Sequence, residues 1–116
     1  MMNPVDSVIS ILRGIVPRPG PESVLAEDVR AALRRAGLLP EVEVELTRGR
    51  VDLRVESIAV ELKVQGAVDK VLAQLARYAE DPTIEVVLLV TSSAKLRAMP
   101  GSVGGKPLHV VYLPRL

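Results

Sequence analysis

The sequence predicts one α/β domain, spanning residues 1–116, in which a mixed β-sheet of about five strands is flanked by helices. Segments whose apolar residues recur at helical spacing precede and interrupt segments whose apolar residues alternate. The run EVVLLVT is apolar along its whole length, as strands covered on both faces are. With 116 residues, 48% of them hydrophobic, the chain can bury one core.

Two helices are expected before the first strand. The first begins at Asn3-Pro4, a capping residue and a first-turn proline, and ends near Gly14. After the stiff linker VPRPGP, the second opens at Gly20-Pro21 and stops at Gly37. Residues 1–21 thus form a helix and linker, and residues 22–116 form the core. The apolar stripe of the first helix is a candidate dimer surface, although packing within its own domain is the simpler use. This stripe contains Val5, Val8, Ile9 and Leu12.

Three strands follow in succession. EVEVEL, at Glu41–Leu46, alternates strictly and predicts a half-buried strand at a sheet edge, where glutamates discourage further pairing. Val51–Glu56 and Ala59–Gln65 alternate in the same way and predict a hairpin that turns near Ser57-Ile58.

The last elements are a helix and two strands. A helix is predicted over Val68–Asp81 and ends at Asp81-Pro82. The strand EVVLLVT follows, then a polar loop over Ser92–Pro107, then a final strand, LHVVYL. Because a helix separates the third and fourth strands, they are expected to be parallel and joined by a right-handed crossover.

Composition excludes several classes of chemistry. The chain has no cysteine, which removes disulfides, thiolate catalysis and thiolate zinc sites, and the lone histidine, His109, cannot form a histidine-rich metal site. A net charge of +1 means that any basic surface is a local patch. We find neither a signal-peptide pattern nor an apolar run long enough to span a bilayer, so the sequence predicts a soluble, cytoplasmic protein without a membrane partner.

The predicted hairpin carries charged residues where strands usually carry uncharged ones. In both strands the apolar residues share one face, so Asp52, Glu61 and Lys63 share the other. A two-residue turn would set Asp52 opposite Lys63 and diagonal to Glu61. Two such carboxylates offer a hard-oxygen site for Mg²⁺ or Mn²⁺, and a lysine beside them can stabilise negative charge on a reacting phosphate. The alternative is an ordinary solvated face with a cross-strand ion pair.

The next helix adds polar residues at four-residue spacing. Lys70, Gln74 and Tyr78 form a stripe beside the apolar one. Gln74 could hold a phosphate or a water molecule, and Tyr78 could brace it through its hydroxyl group. If the domain is a plain scaffold, this stripe is a coincidence.

These motifs resemble the PD-(D/E)XK nuclease superfamily. The resemblance rests on Asp52, then Glu61-Leu62-Lys63 after eight intervening residues, then a helix with QLARY, and it covers Glu22 to Thr91. Gln74-x-x-x-Tyr78 is similar to an element of the RecB-like members, while the size and element order are similar to archaeal Holliday-junction resolvases. Val51 stands where a proline is common, and the upstream histidine of many RecB-like members is missing. The resemblance implies a restriction-endonuclease-like fold.

The resemblance also implies roles for individual residues. Asp52 and Glu61 would bind Mg²⁺ or Mn²⁺, Lys63 would be the catalytic lysine, and Gln74 would support the site, with Tyr78 and Lys70 beside it. The superfamily also uses an acid from the helix before the sheet. Three residues are candidates for that role: Glu22, Glu27 and Asp28. We select Glu22, because it falls within the apolar stripe of its helix, whereas Glu27 points away.

The implied activity is metal-dependent cleavage of DNA, as an endonuclease in recombination or repair. Candidate DNA contacts are Arg48, Arg50 and Arg54 on the hairpin, with Lys95 and Arg97 in the late loop. Further basic residues near the site are Arg30, Arg34 and Arg35 on the second helix. Few aromatic residues are available to stack on unpaired bases, which favours duplex or branched DNA. A homodimer would place two sites on two strands. The alternative is a DNA-binding or assembly module of the same fold without catalysis.

Overall fold

A computed structural model describes residues 3–115. Its helices and strands follow the predicted order, with one short helix of the 3₁₀ type. In chain order they are α1 (Pro4–Arg13), α2 (Glu22–Arg35), β1 (Glu41–Glu45), β2 (Arg50–Val55), β3 (Ile58–Lys63), α3 (Val68–Ala79), β4 (Val86–Thr91), the 3₁₀ helix (Ala94–Arg97), β5 (Ser102–Val103) and β6 (Lys106–Tyr112). None of the helices between residues 3 and 115 combines the length and the apolarity that a membrane crossing needs.

The six strands form one mixed sheet in the order β1-β2-β3-β4-β6-β5. β1, β2 and β3 are antiparallel neighbours, β3, β4 and β6 run parallel, and β5 pairs antiparallel with β6. The prediction of an α/β fold with a mixed sheet and a parallel β3–β4 pair is therefore confirmed. The sheet has one strand more than expected, because β5 forms inside the segment that was predicted to be a loop.

Both faces of the sheet are covered, so the domain has two core clusters. Leu53, Val60 and Leu62 pack with α1 and α2 on one face. Val51 and Ala59 pack with α3 on the other face. The expectation that Val51 would share a face with the other apolar residues of its strand was wrong. The alternation of side chains along β2 is broken at Asp52, so Val51 and Leu53 point to opposite faces of the sheet.

The predicted register of the hairpin was also wrong. Val55 pairs with Ile58 and Leu53 with Val60, so the turn consists of Glu56 and Ser57. Glu56 adopts a left-handed conformation with φ 54°, which tight hairpin turns require at this position and which glutamate seldom adopts. Compared with the predicted hairpin, the turn lies one residue earlier in the sequence. This register brings Glu61, rather than Lys63, opposite Asp52.

α1 uses its apolar stripe inside the domain. Its N-terminus is capped by Asn3, whose Oδ1 accepts a hydrogen bond of 2.9 Å from the Asp6 backbone amide. Val8 and Leu12 are buried in the first core cluster, and Val5 and Ile9 pack against its edge. The stripe that was considered as a dimer surface is therefore covered by the protein itself, in agreement with the simpler interpretation.

Asp81 connects two distant turns beside the sheet. Its Oδ2 accepts hydrogen bonds from the backbone amide and the hydroxyl of Thr47, at 2.8 and 3.0 Å. Its Oδ1 accepts two more from Thr83, and its backbone carbonyl accepts one of 2.7 Å from Lys106 Nζ. The bonds from Thr83 and then Thr47 hold the pKa of Asp81 well below its usual range. The sequence showed this residue only as the end of a helix.

Replacing Asp81 with alanine should lower the free energy of unfolding at pH 7 by about 2–3 kcal/mol, because four hydrogen bonds from Thr47 and Thr83 lose their charged acceptor. A depressed folded-state pKa contributes stability above the unfolded-state value, so the difference from the wild type should shrink as the pH falls below about 4. Urea unfolding at pH 7 and pH 3 measures both effects. The matched control is Asp69→Ala, at an exposed position in α3. Equal stability of the two variants would contradict the prediction.

The two edge strands of the sheet are poorly suited to further pairing. β1 is almost wholly exposed and carries glutamate at every second position: Glu41, Glu43 and Glu45. Glu43 has a left-handed backbone, with φ 50°. The opposite edge, β5, contains two residues. Edge strands with these properties discourage the addition of another strand.

Candidate functional site

The candidate site lies where β2 and β3 stop pairing through their backbones. Beyond the Leu53–Val60 pair, side chains replace the ladder. The Leu62 amide donates a hydrogen bond of 2.8 Å to Asp52 Oδ2. The Asp52 amide donates one of 3.2 Å to Glu61 Oε1. These bonds fix both carboxylates side by side, and each uses one oxygen of its carboxylate, so that Asp52 Oδ1 and Glu61 Oε2 take no part in them.

Asp52 also interrupts the ladder on its other side. In the β1–β2 pairing, Val42 faces Leu53 and Val44 faces Val51, while Glu43 and Asp52 between them are not paired. The left-handed backbone of Glu43 lies at this gap. A strand that is unpaired at one residue on both sides can turn that side chain out of the regular alternation. This interruption explains how Asp52 comes to lie in a cavity beside α2 while Val51 packs under α3.

Lys63 approaches the buried carboxylate of Glu61. Its Nζ lies 3.5 Å from Glu61 Oε2, and its side chain is half-buried. Burial and then the charge of Asp52 raise the pKa of Glu61 to about 8, although Lys63 and the Asp52 amide oppose the shift. Without a further cation, Glu61 therefore keeps most of its proton at neutral pH.

Glu22 faces the same site from α2. It lines a cavity of about 410 Å³ together with Asp52, Leu53 and Leu62. Burial raises the pKa of Glu22, the Asp52 charge raises it further, and Lys63 lowers it. These influences place Glu22 within electrostatic reach of both residues.

The other two acids considered on α2 have a different partner. Glu27 Oε2 lies 3.1 Å from Arg18, and Asp28 Oδ1 lies 2.8 Å from the same guanidinium. Asp28 also accepts a bond of 3.0 Å from the Arg18 amide. Both acids therefore tie the linker to α2, although Glu27 also lines the cavity.

Gln74 and Tyr78 lie on the Glu61 side of the sheet. Gln74 Nε2 donates a hydrogen bond of 2.8 Å to the Tyr78 hydroxyl, which donates one of 2.8 Å to the Arg50 carbonyl. Tyr78 is 1% exposed, and burial followed by the charge of Glu61 raises its pKa. The pair thus braces the start of β2 beside Glu61. Lys70, the third member of the stripe, is exposed.

Comparison of the chain with protein-family models, curated proteins and solved structures finds no match. The resemblance to PD-(D/E)XK nucleases therefore stays a prediction from the sequence motifs.

The carboxylates suit magnesium better than a metal that needs a complete protein cage. Within residues 3–115, no group of three acidic or histidine side chains is close enough to hold an ion. Mg²⁺ usually takes one or two carboxylates and completes its shell with water and substrate phosphate oxygens. Asp52 and Glu61 fit that pattern, and a bound cation would counteract the burial and the Asp52 charge that raise the pKa of Glu61.

The predicted DNA contacts are mostly paired with acids or aromatic rings. Arg48 lies 2.7 Å from Glu80, Arg50 lies 2.8 Å from Glu45, and Arg54 lies 3.6 Å from Glu41. The pairs of Arg48 and Arg50 are exposed and open at little cost, whereas Arg54 is half-buried. The Arg97 guanidinium stacks on Tyr112, 4.7 Å from the ring centre, and Lys95 is exposed beside it. His109, in β6, is exposed.

Sequence reasoning overlooked the special position of Arg30. Of the three arginines noted on α2, Arg30 lines the cavity with Glu22 and Asp52, whereas Arg34 is exposed and Arg35 lines a separate groove beside α1. The signal was available, because Glu22, Ala26 and Arg30 are spaced by four residues and so lie on one side of the helix. The left-handed backbone of Glu43, by contrast, could not be predicted from its residue type.

Replacing Tyr78 with phenylalanine should lower the free energy of unfolding by about 1–2 kcal/mol, because one hydroxyl serves both Gln74 and the Arg50 carbonyl. The matched control is Tyr112→Phe, which keeps the ring that stacks with Arg97. Urea unfolding of both variants measures the difference. A smaller loss for Tyr78→Phe than for Tyr112→Phe would show that the brace is not needed.

Proposed function

We propose that the protein is a metal-dependent DNA nuclease of the PD-(D/E)XK type that hydrolyses phosphodiester bonds in duplex or branched DNA. The observation that carries the proposal is the pair of carboxylates at the divergence of β2 and β3. Asp52 and Glu61 are held by each other's strands, and Lys63 lies 3.5 Å from Glu61. This combination of a buried acid, a half-buried acid and a nearby cation would have no evident use in a purely structural hairpin.

The roles of the residues follow from their charges. Asp52 and Glu61 would hold Mg²⁺ or Mn²⁺, with Glu22 near enough to influence their charge. A cation there supplies positive charge beside the phosphate and makes water a better nucleophile. In hydrolysis, a water oxygen bonds to phosphorus and loses a proton, one P–O bond breaks, and the departing sugar oxygen gains a proton. Lys63 would stabilise the negative charge that develops on the phosphate oxygens.

Gln74 and Tyr78 would act by holding this arrangement in place. Tyr78 fixes the Arg50 carbonyl next to Val51 and Asp52, and Gln74 orients the tyrosine hydroxyl. A site placed on strands and braced by a helix keeps its geometry during reaction. Both are therefore positioning residues in this proposal.

DNA is the proposed substrate because three arginines lie on β2 and on the turn before it, while the chain as a whole is nearly neutral. The exposed ion pairs of Arg48 and Arg50 could exchange for phosphate, and the half-buried Arg54 lies on the same strand as Asp52. A domain of this size would cover little DNA alone, so we also propose that it acts as a homodimer through a surface other than the apolar stripe of α1.

A catalytically silent DNA-binding module is the second candidate. The observation in its favour is the raised pKa of Glu61, because a carboxyl group that keeps its proton at neutral pH is a weak ligand for a metal ion. Such a module would retain the basic surface and bind DNA without cutting it.

The deciding experiment incubates the protein with labelled linear, nicked, flapped and four-way-junction DNA. Each substrate is tested with Mg²⁺, with Mn²⁺ and with chelator. Cleavage with either metal and none with chelator is the expected result. DNA binding without cleavage under every condition would favour the silent module.

A further inference from the structure

Arg30 is a charged residue of the cavity for which the fold shows no use. Its Nε is buried and has no hydrogen-bond acceptor among the described residues. A buried guanidinium nitrogen without an acceptor is costly, so natural structures usually give it a partner. Glu27, the cavity acid nearest to Arg30 in the sequence, is paired with Arg18 instead.

Arg30 lies about two helical turns beyond Glu22 on α2. Glu22 and Arg30 are eight residues apart on α2, about 12 Å along the helix axis at 1.5 Å per residue. Arg30 is the only basic residue among those that line the cavity. The other lining residues are Ser23, apolar side chains and four acids: Glu22, Glu27, Glu43 and Asp52. Arg30 therefore carries the only positive charge on this lining.

We infer that Arg30 binds a DNA phosphate a short distance along the strand from the phosphate at the carboxylates. The inference rests on the proposed function, because it assumes that a nucleic acid strand enters this cavity. A planar guanidinium can bind two phosphate oxygens at once, and successive phosphates of one strand advance by about 3.4 Å along a duplex. Arg30 therefore sets the position of the strand, and its charge offsets part of the repulsion between the DNA and the acids of the cavity.

The test measures DNA binding instead of cleavage. A fluorescent duplex of about 20 base pairs is titrated with Glu61→Gln protein in chelator, so that no strand is cut, over roughly 50–200 mM salt. Arg30→Gln in this background should weaken binding about tenfold and reduce the slope of log K against log salt by about 0.9. Arg30→Lys should keep the slope and lose part of the affinity. The control is Arg34→Gln, on the same helix but outside the cavity, which should change the affinity less than twofold.

The binding experiment can contradict the inference about Arg30 without contradicting the nuclease proposal, and the reverse is also true. If the wild type never cuts DNA but Arg30→Gln still weakens binding, the inference holds and the nuclease proposal fails. If Arg30→Gln and Arg34→Gln bind equally, or if no form binds DNA, the inference is wrong even where cleavage is observed. A melting temperature lowered by Arg30→Gln and by Arg30→Lys, with unchanged binding, would likewise overturn it, because it would assign Arg30 a structural role.

Discussion

Replacing Glu61 with glutamine should reduce the rate of DNA cleavage by roughly 10³-fold or more. It should also make the metal-free protein more stable at pH 8. Glutamine keeps the carbonyl oxygen that accepts the Asp52 amide, so the hydrogen bond that fixes the strand survives. What disappears is the negative charge that would hold the cation. Asp52→Asn should also abolish cleavage, because it removes the other negative charge that would hold the cation. Its fold should survive, because asparagine can still accept the hydrogen bond from the Leu62 amide.

The gain in stability follows from the pKa of Glu61. Its value is about 4.5 in an ordinary setting and about 8 in the fold. Below pH 4.5 the group is protonated in both states. Between pH 4.5 and 8 only the unfolded state releases the proton, so the stability of the wild type should fall across this window. Glu61→Gln removes that dependence, with a gain at pH 8 on the order of 3 kcal/mol.

Three measurements on the same protein samples test this prediction. Urea unfolding at pH 5 and pH 8 gives the change in stability, thermal melting with Mn²⁺ gives the effect of the metal, and the labelled substrates give cleavage. Mn²⁺ should raise the melting temperature of the wild type at pH 8 more than that of Glu61→Gln. Glu85→Gln, an exposed change of the same chemistry, is the control. Undiminished cleavage by Glu61→Gln would place the chemistry elsewhere.

Replacing Lys63 with alanine should reduce the cleavage rate by roughly two to four orders of magnitude while the protein still folds and binds Mn²⁺. Its ammonium group lies beside Glu61, where it would stabilise charge that develops on the phosphate in the transition state. Single-turnover cleavage at saturating protein measures the rate without the binding step. DNA binding should change little, because one contact among several is lost.

Arg13→Ala is the control for Lys63→Ala. It removes one positive charge from an exposed position in α1, remote in sequence from the candidate site. A rate loss of the same size in both variants would mean that net charge, rather than the position of Lys63, governs cleavage. Lys63→Arg should recover part of the rate if charge alone is required, and little if the compact ammonium group is needed.

The sequence predicted the elements of this fold well because their signals are local. Capping at Asn3-Pro4, alternation in the strands and helical spacing in α3 each depend on a few neighbouring residues. The hairpin register could not be obtained in that way. It depends on the turn at Glu56 and Ser57, where Glu56 has a left-handed backbone. Glycine or asparagine at this position would have indicated the turn in the sequence, but glutamate does not.

The candidate site was predicted in part for a similar reason. Strand alternation identified Asp52, Glu61 and Lys63, and the helical stripe identified Glu22. The interruption at Asp52 and the cavity beside Arg30 arise from three elements that meet in space, which no single periodicity encodes. Asp81 was overlooked because its acceptor role joins residues that are 34 positions apart.

The edges of the sheet bear on how this protein would behave when partly unfolded. Fibril growth needs a straight strand with free backbone groups that a second copy can extend, and mutual repulsion between stacked carboxylates opposes it. β1 offers alternating glutamates and a twisted backbone at Glu43, and β5 is too short to act as a template. Heating or mutation should therefore yield dispersed or amorphous material in preference to ordered filaments, and any assembly of native copies has to use helices or loops.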